Sequence, residues 1–461
     1  MELSNSPLGN ELDLINRTTE WGRYYSYEAT ISTEAEDIDV LKVVSFDRIR
    51  DYRGACTDEM LIEVRMPSGA YLKRILPFKE NLTLTLTQTP LGIITADDPR
   101  TIVVQEFQAF LIGNDMTNTL GANPQTATED AANLTGLEKI ILQLQPVGWE
   151  QVRTEMVGGI AQDTTPFDFL VSLLFNSIKN MDVDEANRIL GVDAIPPSNT
   201  TKRSHIMIQH GVPLTQVAGI LQTRLGGIYS AGIGCYCQGT HWYVWPLYDN
   251  TRFDTATTTA SFIILPDPRF KGTEKTYRVN GNHLVVVVTG GASMEDGSEG
   301  GLMNDGNAVR FADSNAMMES PVEKGGNKAV AKRTYNNTEY VGVQRRSKTQ
   351  VSRVVGDMSR TNAYNESSKL AARSGAFVRM LWENSLPDWI TPGLQCEVGF
   401  TVDGSPVFIN GVVVHAHAFS RLAGTGLHQV GHQVTTEVVV MVDRNSPEYD
   451  NFIESVNNPT E

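Results

Sequence analysis

Between residues 40 and 113 apolar and polar positions alternate in short blocks. Ile62, Val64 and Met66 alternate with Leu61, Glu63 and Arg65, and Pro67-Ser68-Gly69 then marks a turn. Tyr71-Leu72-Lys73-Arg74-Ile75-Leu76 resumes the strand pattern. Asn81-Leu82-Thr83-Leu84-Thr85-Leu86-Thr87 has a strict period of two, leucine on one face and threonine on the other, which predicts a half-buried strand. Ile102 to Phe110 predicts another. Together these blocks predict an antiparallel β-domain with short turns. Residues 114–133 are polar and aperiodic and read as a linker, after which Ile140-Ile141-Leu142-Gln143-Leu144 returns to strand.

The period changes near residue 163. Phe167, Leu170, Leu174 and Ile178 recur at helical spacing. Thr165 is placed to cap that helix, and Pro166 suits its first turn, where a missing N–H costs nothing. Leu214, Val217, Leu221 and Leu225 repeat the spacing after Val212-Pro213, and Gly226-Gly227 ends the run. Residues 233–245, IGCYCQGTHWYVW, predict a β-hairpin turning at Gln238-Gly239-Thr240. Ile233, Cys235 and Cys237 lie on one of its faces, and Gly234, Tyr236 and Gln238 on the other. Two helices and a hairpin make an α/β subdomain.

Strand patterns return at Phe262-Ile263-Ile264-Leu265 and at His283 to Val288. Residues 289–330 are rich in glycine and acids and read as a long flexible loop. Residues 361–382 read as a helix ending near Trp382. Trp389 to Val398, Val407 to His417 and Val434 to Val442 predict a final β-region.

Length and charge narrow the function classes. A chain of 461 residues exceeds one compact core and predicts three or four domains. No apolar run approaches the roughly 18–20 residues of a membrane span. The opening residues, MELSNSPLGNELDL, lack the basic and apolar regions of a secretory signal. The four cysteines are scattered, which fits synthesis in a reducing cytoplasm rather than a disulfide scaffold. A net charge of −16 opposes sequence-specific nucleic-acid binding.

Candidate chemistry is sparse. Cys235, Cys237 and His241 supply three metal donors where a structural zinc site wants four, so the reading is a core hairpin. His205 and His210 stand apart before the second helix. His415 and His417 share a strand face, with His428 and His432 in or near the following loop. These four read as solvated or packed histidines rather than a transition-metal site. The run Asp182-Val183-Asp184-Glu185 lacks an EF-hand's spacing, since Ala186 and Asn187 follow it. Residues 289–330 lack the period of a calcium-binding repeat. No HExxH, GxSxG, P-loop or CxxC motif is present. The expectation is no enzyme, no catalytic residue, no cofactor and no metal.

The final region, PGLQCEV followed by GSPVFINGVVVHAHAFSRLAGTGLHQVGHQVTTEVVVMVDR, resembles the terminal domain of bacteriophage baseplate hub proteins, which join the tail tube to the central spike. Pro392-Gly393, the strand Gly411-Val412-Val413-Val414-His415, and Thr435-Thr436 carry the likeness. The early stretch DYRGACTDEMLIEVRMPSGAYLKRILPFKENLTLTLTQTP is similar to the hub's first barrel, and 163–248 falls where hubs carry an inserted α/β domain. The resemblance implies a mainly β chain, α+β overall, with two tail-tube-like barrels. It divides the chain into a first barrel with an N-terminal arm and linker (1–160), the α/β insertion (161–260), and a β region containing the 289–330 loop (261–345). A helix, second barrel and C-terminal tail follow (346–461). It also implies a homotrimeric virion ring that adapts a six-fold tube to a three-fold spike and lines a channel for DNA. Its partners would be itself, the spike, the tube, and baseplate wedge or tape-measure proteins, with assembly in the bacterial cytoplasm. Open strand edges in each barrel would then be paired by ring closure. Two other classes stay open on residues alone. One is a tail-borne or secreted glycan-degrading enzyme. The other is a carbohydrate-binding adhesin using Trp242 and Trp245 as exposed platforms.

Overall fold

The computed structural model describes residues 24–67, 69–92, 99–112, 137–264, 276–288, 291–296, 306–313, 322–325, 328–331, 340–343, 349–355, 362–402, 405–423 and 431–443. The expected linker at 114–133 and His428 lie outside them. The fold is mainly β.

The first β-core uses β1 (Tyr24–Ser32), β2 (Asp37–Asp39), β3 (Lys42–Asp51), β4 (Glu59–Pro67), β5 (Leu82–Pro90), β6 (Val103–Leu111) and β7 (Leu137–Pro146). Their order is β3-β4-β7-β6-β5-β1, with antiparallel neighbours. The alternation read from sequence is the burial pattern observed: Leu82, Leu84 and Leu86 point inward while the threonines between them face outward. Tyr71 to Leu76 is not a strand. It forms a π-type turn, Tyr71–Ile75, followed by a 3-10 turn, Leu76–Phe78. The Glu138 carboxylate accepts from the N–H groups of Gly69 and Tyr71, and Pro77 has no N–H to offer a sheet.

The insertion follows β7. It contains α1 (Trp149–Thr154), β8 (Met156–Thr164), α2 (Pro166–Asn180), β9 (Gly191–Ala194), β10 (Arg203–Pro213), α3 (Leu214–Thr223), β11 (Ile233–Gln238) and β12 (His241–Pro246). The Thr165 hydroxyl caps α2 by accepting from the Asp168 N–H at 3.0 Å. Leu170, Leu174 and Ile178 of α2 pack with Val217 and Leu221 of α3 in a separate core. The β11–β12 hairpin turns through Gly239-Thr240.

The second β-core begins with β13 (Thr259–Ile264), β14 (Tyr277–Asn280), β15 (His283–Val288) and β16 (Ala292–Asp296). The short strands β17 (Gly306–Asp313), β18 (Val322–Gly325), β19 (Lys328–Ala331), β20 (Tyr340–Val343) and β21 (Thr349–Val355) pair, among the described residues, only with one another. Then come α4 (Ala363–Ser374), β22 (Gly375–Glu383), β23 (Gln395–Val402), β24 (Ser405–Ala423) and β25 (Gly431–Asp443). The strand order is β14-β15-β13-β23-β24-β25-β22-β16, with β13 parallel to both β15 and β23. Three expectations change here. The helix read over 361–382 stops at Ser374, because Ala376, Val378, Met380 and Trp382 have a period of two and bury one face of β22 in this core. The segment 289–330 contains β16, β17 and β18 and most of β19; β16 finds backbone partners on β22, which composition does not reveal. The strands of 259–288 share a core with those of 375–443, so they do not form a region apart from the terminal domain.

The two β-cores share one hairpin. The first half of β24 pairs with β23, Val402↔Ser405 to Gln395↔Val412; past an irregularity at Val414, His415 to Arg421 pair with Asp51 to Ser45 of β3. Likewise Thr435 to Asp443 of β25 pair with β22, whereas His432 and Gln433 pair with Tyr25 and Tyr24 of β1. The far ends of β24 and β25 thus close β3-β4-β7-β6-β5-β1 into an eight-stranded barrel. The open edges expected in that barrel are therefore filled from within the chain. Backbone closure is favourable because each unpaired N–H or C=O would otherwise need water.

Candidate functional site

The first barrel, the insertion and the second core meet at a buried polar cluster. On β3 the period of two puts Phe46, Arg48 and Arg50 on one face. Phe46 enters the first core, and the two arginines continue the row beyond it. Arg50 Nε donates to Asp58 Oδ2 at 3.2 Å, and its Nη1 donates to the carbonyls of Pro387 (2.7 Å) and Ile390 (3.1 Å). Arg48 donates to Asp388 Oδ1 (3.1 Å) and Gln105 Oε1 (2.8 Å). The Tyr236 hydroxyl, from the insertion, donates to Asp58 Oδ1 at 2.9 Å. Two buried guanidiniums are thus balanced by one buried and one half-exposed carboxylate, as buried charge requires.

The β11–β12 hairpin is the insertion's side of this junction. Cys237, Trp242 and Val244 pack into the insertion core, while Tyr236 and Trp245 pack into the second β-core. Trp242 and Trp245 are 1% and 2% exposed, so neither is the platform that an adhesin would need. A side chain at position 234 would come within 2.4 Å of the Trp245 indole, which explains the glycine there. The Cys237 N–H donates to the Cys56 carbonyl at 2.7 Å, and the Thr57 hydroxyl to the Cys237 carbonyl at 3.1 Å, tying hairpin to barrel. Above the cluster opens a cleft of about 800 Å³, lined by all three units.

The sequence-derived metal candidates are distributed as follows. Burial pushes the thiols of Cys235 and Cys237 well up, so both are held protonated. The His241 Nδ1 faces the Thr240 hydroxyl at 3.1 Å. His205 and His210 lie exposed on β10. His415 and His417 do share a face, half-buried; burial lowers His415, whose Nδ1 lies 3.9 Å from Asp51. His432 is near that loop, as the second residue of β25, edge-on to Tyr27 at 4.9 Å, and burial lowers its imidazole to about 4. Among the described residues, no three His, Cys, Asp or Glu side chains are placed to hold a metal ion. No described helix is long and apolar enough to cross a membrane.

Sequence reading missed Arg48, Arg50, Asp58 and Asp388. The available signal was Arg-x-Arg at positions where the strand's period demands buried residues.

No protein-family profile matches the chain, and no curated protein matches it. Solved structures similar to it include tail and secretion-system proteins. A tail protein from Neisseria meningitidis matches at 12% identity and TM-score 0.48, covering 91% of this chain and 97% of that one. The 43 kDa tail protein of prophage MuSo2 from Shewanella oneidensis matches at 10% identity and TM-score 0.46, covering 90% and 98%. An E. coli component of the type VI secretion system, described as structurally similar to bacteriophage T4 tail proteins, matches at 9% identity and TM-score 0.41, covering 91% and 78%.

Proposed function

We propose that this chain is a structural subunit of a phage-type tail baseplate: a hub that forms a homotrimeric ring between a six-fold tail tube and a three-fold central spike. The observation that carries the reading is the hairpin shared by the two β-cores. An adaptor must hold two tube-like units of one chain at a fixed angle. Strands common to both achieve this without a hinge. Three such chains present six β-core positions while the chain count stays at three. The reading is also supported by the order of hub-like motifs along the sequence, and by a net charge of −16, which suits a channel that passes DNA without retaining it. The buried Arg48–Arg50–Asp58–Asp388 cluster then has a structural role, fixing the insertion against both cores, and no reaction is assigned to it. The partners are other copies of the chain, the spike, the tube, and wedge or tape-measure proteins, in a virion tail assembled in the bacterial cytoplasm. Native mass measurement of the purified hub, alone and with its spike, tests the proposal. Three copies of this chain are expected, with a ring in electron micrographs; two or six copies would sink it.

A further inference from the structure

We propose that the cleft above the junction is a docking groove for an extended peptide segment of a partner protein, which adds a short strand to β6. Strand β6 pairs with β5 from Val103 to Ala109, but with β7 only from Phe107 to Leu111. Strand β7 ends at Pro146, which has no N–H, and the chain then turns away into α1 through Gly148 at φ +78°. A side chain at position 148 would come within 2.5 Å of Val183, so this departure is built in. Among the described residues, Val103 to Glu106 therefore have no strand on their second edge. Every second residue there directs a backbone N–H and C=O outward, the template that strand addition uses. That edge lines the cleft.

Two further observations point to an occupant. Tyr25 also lines the cleft; it is 2% exposed, yet its hydroxyl has no hydrogen-bond partner among the described residues, whereas the Arg48 Nε beside it already faces Asp58 Oδ2 at 3.7 Å. A phenol O–H can donate, and a backbone carbonyl of an added strand is an acceptor that would satisfy it. Val104, which lines the cleft, is 63% exposed, as is Ile102 two residues before it, which fits apolar side chains at alternate positions of an added strand. The charged side chains lining the cleft balance, with Arg48, Arg50 and Arg100 against Asp58, Asp388 and Glu106. A strongly charged ligand has no advantage there, and a largely uncharged peptide does. This inference is independent of copy number, so its failure leaves the trimer reading untouched.

The test is selection of a displayed random decapeptide library on the full-length protein, followed by titration of an enriched, labelled peptide. Enriched sequences should alternate apolar residues, bind one per chain, and slow amide exchange at 103–106. Val104→Lys should weaken binding at least about tenfold by placing a charge against the apolar strand. Tyr25→Phe should weaken it about fivefold through one lost hydrogen bond. Both variants should keep the wild-type circular dichroism, since Val104 is exposed and phenylalanine fills the tyrosine's space. No enrichment over an unrelated protein, binding without protection of 103–106, or wild-type affinity in both variants would overturn the proposal. So would protection of 103–106 by self-association of the protein without peptide.

Discussion

The junction concentrates its energy in few side chains. Asp58 neutralises Arg50 and accepts from Tyr236, and all three are buried. Asp58→Ala removes the buried counter-charge of Arg50 and leaves it only the half-exposed Asp388 at 3.7 Å, which costs about 3–5 kcal/mol. Urea denaturation should show that loss as a lower midpoint with an unchanged slope. His432 gives a pH dependence of known sign. Burial holds its imidazole at about 4 against 6.5 for the free residue, so the unfolded chain binds more protons between those values. Stability should fall as pH drops from about 6.5 toward 4, and His432→Gln should flatten that part of the profile. An unchanged slope would place the acid sensitivity elsewhere. The cysteines test the opposite kind of site. Cys235→Ser with Cys237→Ser should fold with a loss of about 1–2 kcal/mol, a packing effect. Stoichiometric zinc in the wild type, lost in the double variant, would show that a metal had been missed.

At the scale of elements, the strongest sequence signals were local ones. Helix α2 was legible because its cap, its first-turn proline and its apolar face all lie within one segment. Thr165→Ala should destabilise the protein by about 1 kcal/mol, while Thr165→Ser should be nearly neutral, both read from thermal unfolding. Strand β22 was misread because the alanine- and serine-rich run before it has real helical character, and the change of period at Gly375 falls inside one continuous polar-to-apolar stretch. The turn at Tyr71–Ile75 was misread because Glu138, whose carboxylate accepts from the N–H groups of Gly69 and Tyr71 at its start, is distant in sequence.

Whole-molecule organisation rests on β24 and β25. Neither β-core is complete without them, so residues 1–148 contain six strands of an eight-stranded barrel and lack the two that close it. That fragment, expressed alone, should aggregate or stay unfolded by circular dichroism, because β1 and β3 would each present an unpaired edge. A soluble, cooperatively unfolding fragment would show that closure is dispensable. In the intact chain, the shared strands should make the two cores unfold as one cooperative unit, read as a single thermal transition.

Periodicity by itself marked the strand-rich stretches near each end of the chain, the different texture of 163–248, and the two faces of the hairpin at 233–245. Those properties follow from the side-chain geometry of strands and helices, which repeats every two or 3.6 residues and needs no knowledge of partners. Only the tertiary structure decided that Cys237 and Trp245 of that hairpin enter different cores. It alone placed Asp388 beside Arg48, 340 residues earlier, and closed the first barrel with strands from the far end of the chain. Edge pairing and buried-charge compensation are satisfied by whichever backbone or carboxylate the fold brings near. Their partners leave no periodic mark, and only one half of each pair, Arg48 and Arg50 on the buried face of β3, was written where it could be read.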